Sequence, residues 1–371
     1  MTMITTVLKR VALSALLSIS LCSPHLWAQD DEFKVNIYGA VASNFYVFTN
    51  NREPALGNGQ VSNTFALLQG SLFFSGNIGN DWKYLIELYM QNDFIAQLNA
   101  GQALLHQAWI EYRPSSEFGV RFGRMLTPYA GFNNIHSRPA LYWFVQRPFP
   151  YEEPTLTDGI DGVRSEFSSL MLSGALKIGD GAKFDYAAYA GNTERIGLNG
   201  FDFSAAKTIG ARVGVRTDNI TFGVSPVINV IADVDDVAQE NVTLLAGDIQ
   251  ANFGNFKLIG EYIYSLKNFE AKPNTTGFQA RNYENHVANF FYASAGCDIS
   301  EQWLAYIAYN FFNDSESRSI YRTQSLTRIS AGVNFRPIEK IILKAEVNHH
   351  PYTTAQRPSY QSLGVSLVAT F

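Results

Sequence analysis

Charged residues are few in this 371-residue chain, 16% of the total, and one set of them recurs in one kind of place. They sit inside segments of alternating apolar and polar residues, on the polar side of the alternation. Lys83, Arg121, Arg164, Arg212, Arg216, Lys257, Arg328, Arg336 and Lys344 stand this way, with Glu87, Glu111, Glu166, Glu261 and Glu346 as the fewer acids. In a narrow aqueous passage such residues select by charge, because low-dielectric walls focus the field of one sign and gather counter-ions. The excess of cations points to anions. For any one of these side chains, plain solvated lining is the simpler role.

A second charged set lies in the longest connection, residues 124–160. His136, Arg138, Arg147, Glu152, Glu153 and Asp158 are spread through it, among Tyr129, Phe132, Tyr142, Trp143, Phe144, Phe149 and Tyr151 and five prolines. A loop this long and aromatic is uncommon without a task of its own. We expect it to constrict a lumen, the alternatives being an external plug, a packing segment or a contact between copies. Arg138 and Arg147 are offset by Glu152 and Glu153, so no dense basic ladder forms here.

Bond-making chemistry finds little support. There is no Gly-x-Ser-x-Gly elbow, no His-x-x-x-His and no Cys-x-x-Cys, and His349-His350 is the only histidine pair. No catalytic residue, metal ligand or cofactor is expected. His106, His136, His286, His349 and His350 would be the candidates for a membrane-embedded hydrolase, a remote alternative. Asp233-Val234-Asp235-Asp236 reads as a solvated loop, and Cys297 as a small buried side chain in a strand.

The elements that must position these residues are strands. Ile209, Ala211, Val213 and Val215 alternate with Gly210, Arg212, Gly214 and Arg216; Ile329, Ala331, Val333 and Phe335 alternate with Arg328, Ser330, Gly332, Asn334 and Arg336. A period of two puts each set on one face of a strand. At the C-terminus Leu363, Val365, Leu367 and Ala369 face away from Ser362, Gly364, Ser366 and Thr370. Seven short connections rich in Gly, Asn, Asp or Pro fall at 77–81, 113–117, 179–181, 217–219, 253–255, 298–302 and 336–339. Eight longer polar ones alternate with them, at 49–61, 91–103, 124–160, 191–206, 232–241, 266–285, 313–325 and 350–360. That rhythm predicts sixteen strands in a closed antiparallel transmembrane barrel, with short periplasmic turns and long extracellular loops. Residues 162–178 change parity between Phe167 and Leu170, which we read as a bulge, and 286–298 is ambiguous. Fourteen and eighteen strands are the alternative counts.

Residues 1–28 read as a cleaved signal peptide: Lys9 and Arg10, an apolar Val11 to Leu21, then Leu26-Trp27-Ala28. The barrel would then occupy 29–371. After Ala28 no apolar run of about 18 residues follows, so no helix spans a membrane. An average soluble domain carries about 25% charged residues, well above the proportion here. Removing Lys9 and Arg10 leaves 26 basic against 33 acidic residues, a net charge near −7 that argues against a nucleic-acid partner. A soluble barrel would bury its apolar face; here the opposite face carries the charges, which suits a wet lumen and a lipid-facing exterior. A secreted sandwich, or a structural or adhesin-type barrel with a filled lumen, is the competing reading.

Leu68 to Gly76, Trp82 to Tyr89, Gln107 to Tyr112 and Val120 to Arg124 running into Thr127-Pro128-Tyr129 resemble outer-membrane porins, particularly the phosphate- and polyphosphate-selective family. The likeness covers residues 60–132. It implies a sixteen-stranded homotrimeric barrel in the bacterial outer membrane, with the third loop folded into the lumen. Its surroundings would be membrane lipid and lipopolysaccharide, and it would pass small solutes or anions. Phe371 resembles the terminal aromatic by which the barrel-assembly machinery recognises porins. Lacking a basic cluster in the third loop, the chain is expected to be weakly selective, with a mild preference for anions.

Overall fold

The alternation of apolar and polar residues is realised as a ring of strands. The computed structural model describes residues 35–49, 63–91, 103–151, 166–192, 207–232, 238–271, 283–314, 325–354 and 357–371. Among these, sixteen antiparallel strands run in chain order: β1 (Val35–Phe48), β2 (Asn63–Ile78), β3 (Trp82–Gln91), β4 (Ala103–Tyr112), β5 (Gly119–Leu126), β6 (Glu166–Ile178), β7 (Ala182–Gly191), β8 (Thr208–Arg216), β9 (Ile220–Ala232), β10 (Ala238–Phe253), β11 (Phe256–Ala271), β12 (Tyr283–Asp298), β13 (Trp303–Asp314), β14 (Ser325–Ile338), β15 (Ile341–Thr354) and β16 (Arg357–Thr370). Each pairs with its sequence neighbours, and β1 pairs with β16 to close the barrel. Closure leaves no open edge. The expected strand count and topology hold, while the signal-peptide residues lie outside the described ones.

Faces follow the predicted parity. On β16, Leu363, Val365 and Leu367 are exposed on the outside, whereas Ser362 and Ser366 are buried on the inside. Ile209, Val213 and Val215 on β8 and Ile329 and Val333 on β14 are likewise outward and exposed. Aromatic pairs flank this apolar belt on the outer wall. Trp82 with Tyr112 and Trp303 with Phe335 lie at the short-turn end, with ring centroids 5.0 and 4.5 Å apart; Phe45 with Phe65 lies at the other. The tight turns at Gly79 and Gly254 use positive φ (62° and 61°), which a Cβ would strain.

Two expectations are corrected. β6 carries no bulge: it pairs with β5 and β7 in unbroken register from Glu166 to Ile178. Beyond Phe167, Leu170 and Leu172 are exposed outside while the alternating Met171, also apolar, packs in the lumen, so hydrophobicity does not mark the faces of this strand. Nor is 350–360 a long loop. β15 and β16 extend to Thr354 and from Arg357, pairing across a shift near His350, so only residues 355 and 356 connect them. β12, ambiguous in sequence, is a full strand whose inner face also carries aromatics, Phe290 and Tyr292.

The wall is uneven in height. β3, β4, β5, β7 and β8 have 8 to 10 residues, whereas β10, β11 and β12 have 16 each. At the seam, Phe371 continues the ladder past β16. Its N–H donates to the Gly39 carbonyl at 3.1 Å and its own carbonyl accepts from Gly39 N–H at 3.0 Å. A Cβ on Gly39 would lie 2.5 Å from the Phe371 ring, so only glycine leaves that ring its place.

Candidate functional site

The described part of the long connection after β5, residues 127–151, lies among the inward side chains of the wall. Only Asn134 and Leu141 in it are exposed. Its sequence explains the position: Tyr129, Phe132, Tyr142, Phe144, Phe149 and Tyr151 supply an apolar body that water would disfavour. They pack into one cluster with Met171, Tyr189, Val227, Leu244, Ile263, Phe290, Tyr292, Tyr306 and Phe312 from six or more strands. Phe132 lies within 6 Å, centroid to centroid, of Tyr142, Tyr151 and Tyr292.

Polar wall groups fasten the backbone of this segment. Lys344 Nζ donates to the carbonyls of Pro139 and Tyr142, each at 2.7 Å, and of Phe144 at 3.3 Å. Glu346 accepts from the N–H groups of Val145 (3.2 Å) and Gln146 (3.0 Å) and from the Tyr306 hydroxyl at 2.6 Å. Across the barrel, Glu261 accepts from Phe132 N–H and from the Tyr151 hydroxyl, the latter at 2.8 Å. Arg328 donates to the Arg147 carbonyl, Gln69 to that of Ser137 at 2.7 Å, and Ala130 N–H to Ser225 Oγ at 3.2 Å. The donors and acceptors that a loop would leave bare on burial are met from opposite sides of the wall. Burial pushes the Tyr142 phenol up to about 12, and burial followed by the nearby Glu261 carboxylate holds Tyr129 and Tyr151 well above the usual value. All three stay protonated, and Tyr151 remains a donor.

The charged residues selected from the sequence divide into two groups. Arg328, Lys344, Glu87 and Glu111 are buried, with Glu87 holding His106 Nδ1 at 2.9 Å and Gln107 Nε2 at 2.5 Å. Glu111 pairs with Arg113 at 2.8 Å and Arg121 at 3.3 Å, and the Arg121 guanidinium lies 3.9 Å from the Trp109 ring centroid. Arg212 forms a two-pronged pair with Asp248, and Gly223 opposite it leaves the guanidinium its space. The second group lies near the short-turn end and is open: Lys83, Arg216 and Arg336 are exposed and Lys257 is half-buried. Arg216 meets Asp185 at 2.9 Å and Lys257 meets Asp298 at 2.6 Å. In the lumen segment His136 and Arg147 are buried, His136 with its ring 5.8 Å from that of His106, and Arg138 lies over Phe73. Arg164, Glu152, Glu153 and Asp158 lie outside the described residues.

Superposition on solved structures finds barrels of the same build. An anion-selective porin from Comamonas acidovorans matches with a TM-score of 0.62 at 14% identity, over 91% of this chain and 99% of that one. Salmonella typhi OmpF, solved with daunomycin, matches at 0.60 and 11%, over 92% and 99%. The outer membrane channel DcaP of Acinetobacter baumannii matches at 0.59 and 11%, over 92% and 99%. The chain has a porin fold. No family model matches it, and no curated protein does so either.

On this porin-like barrel, several fastening residues escaped sequence reasoning. Asp248 stands in β10 after Val242, Leu244 and Ala246, all buried inward, so the lumen face there is apolar and the parity argument cannot tell inside from outside. Gln69, Ser71 and Ser225 are neutral and carried no signal. Glu261 and Glu346 were placed inward by parity, but their partners lie over a hundred residues away.

Proposed function

We propose that this chain is an outer-membrane porin, a channel for passive diffusion of small hydrophilic solutes or ions, weakly selective with a mild preference for anions. The observation that carries the reading is the inversion of the barrel: apolar side chains exposed outside, charged and polar ones inside, around a chain segment fastened in the lumen. An outer belt of exposed Leu, Ile, Val and Phe flanked by aromatic pairs fits a bilayer. Residues 124–160 are then the constriction, and Lys83, Arg121, Arg212, Arg216, Lys257 and Arg336 tune the charge of the passage around it. The similar fold of an anion-selective porin agrees with the sign. The finer kinship with phosphate- and polyphosphate-selective porins rests on residues 60–132. Residues 1–28 act as the export signal, three copies assemble as a homotrimer among lipid and lipopolysaccharide, and Phe371 is read by the barrel-assembly machinery.

Planar-bilayer recording tests this. Reversal potentials under a salt gradient are expected to show slight anion preference; clear cation selectivity removes the preference, and absence of conductance removes the channel. One observation favours a second reading, a structural barrel with a filled lumen: the loop and wall share one continuous aromatic cluster. The same recording separates the two. A hydrolase would need its groups at the outer wall or loop rim, whereas Glu87–His106 and Asp314–His286 are both buried inward. A micelle-based lipase assay addresses it.

A further inference from the structure

Beneath the lumen segment, at the short-turn end of β11 to β14, lies a pocket of about 350 Å³ that diffusion through the barrel does not by itself require. Its polar lining is incomplete in a specific way. Asn334, only 5% exposed, has no hydrogen-bond partner for its Oδ1 among the described residues. Buried acceptors are rarely left so. Arg336 and Glu301, both exposed, make no hydrogen bond or ion pair through their side chains among the described residues; both line the pocket, and the bond from Arg336 N–H to the carbonyl of Gln302 (2.9 Å) joins Arg336 to the residue that follows Glu301. The other two charges of the lining, Lys257 and Asp298, satisfy each other at 2.6 Å. Lys344, cross-strand from Asn334, is spent on the loop carbonyls. One cation, one anion and one neutral acceptor are therefore left facing the pocket.

Trp143 forms the apolar side. It is half-buried and belongs to the lumen segment, with its ring against the backbone at Gly296, where a Cβ would stand 3.0 Å from it. An indole face takes apolar or aromatic groups, a guanidinium takes a carboxylate in two parallel bonds, and a carboxylate with an amide oxygen takes an ammonium. We propose that this pocket binds a small zwitterion with an apolar side chain, the chemistry of a free aromatic or aliphatic α-amino acid. The carboxylate meets Arg336, the ammonium meets Glu301 and Asn334 Oδ1, and the side chain lies on Trp143. The inference deepens the channel reading by naming a solute class, yet binding is measurable whether or not the barrel conducts.

The test is calorimetric titration of L-phenylalanine into the folded full-length chain in detergent, beside phenylacetate and phenethylamine, each lacking one of the two charges. Saturable binding of phenylalanine is expected, at least tenfold tighter than either analogue, and at least tenfold weakened in Arg336→Gln and in Glu301→Gln. Both substitutions are at exposed positions, and heat-modifiable gel mobility verifies that the variants are folded. Equal binding of phenylacetate, unchanged binding in Arg336→Gln, or no saturable binding to the folded chain overturns the proposal. A barrel that conducts but does not bind sinks this inference and leaves the channel standing; one that binds without conducting does the reverse.

Discussion

The ammonium of Lys344 holds Tyr142 twice, donating to its carbonyl oxygen at 2.7 Å and lying 4.5 Å from the centroid of its ring. Both contacts are made from β15 to a residue two hundred positions earlier in the chain. A wall residue thereby fixes the path of the lumen segment.

Lys344→Met tests that relationship. The methionine fills the space but leaves the carbonyls of Pro139, Tyr142 and Phe144 without their shared donor, and hydrogen bonds to charged groups contribute roughly 1.5–3 kcal/mol each. The segment should loosen while the barrel stays folded. Single-channel recordings are expected to show larger or noisier conductance than the parent; identical traces would mean that the clamp does not set the passage.

Glu261→Gln addresses the opposite side of the wall. Only one amide oxygen remains to serve Phe132 N–H and the Tyr151 hydroxyl. A loss of about 1.5–3 kcal/mol in docking corresponds to roughly a tenfold to hundredfold rise in the open population. Limited proteolysis within 127–151, at protease levels where cutting follows opening, should accelerate by that factor. Barrel gel mobility should not change.

Alkaline pH should release the same segment. Tyr142 is pushed up to about 12 from the ordinary 10, with Tyr129 and Tyr151 also raised. Where the folded state keeps a proton that the unfolded state gives up, stability falls as pH rises. The contribution is full below pH 10 and is lost as pH climbs through 10 toward 12. Tyrosinate absorbance and protease sensitivity of the segment should rise together in that window. Ionisation of all tyrosines near pH 10 with the segment still protected would contradict the buried placement.

Phe371→Ala separates a packing role from a recognition role. The two backbone bonds to Gly39 do not need the ring, so refolding in detergent should proceed nearly as in the parent. In cells, the amount of folded protein in the outer membrane should fall several-fold. Equal loss in both settings would assign the ring to packing alone.

Much of this architecture was legible because a wall that separates lipid from polar interior writes a period of two into every strand. Ile209 to Arg216 and Ser362 to Leu367 read correctly for that reason, whereas Val368, apolar and buried on the inner face, breaks the alternation. The rule fails where the inner face is not wet. Phe290, Tyr292, Val242, Leu244 and Met171 point inward against the lumen segment, which blurred β12 and suggested a bulge in β6. The fastening of Val145 by Glu346 and of Phe132 by Glu261 depends on contacts across the barrel, which no local pattern encodes. In the sequence Trp143 is one aromatic among several, and nothing there joins it to Asn334 and Arg336.

The unequal strands have an effect on how the mouth meets the outside. At about 3.3 Å per residue, the 16-residue strands β10 to β12 run about 50 Å, and the 8- to 10-residue strands roughly 30 Å. With the short turns level along one rim, the other rim is a slope. Among the described residues, β10 to β12 rise highest on one side, and β3 to β5 with β7 and β8 form a lower stretch of the rim, bounded by the 16-residue β2. If the chain conducts as proposed, a solute arriving at this end meets a rim whose described strands differ in height from one side to the other.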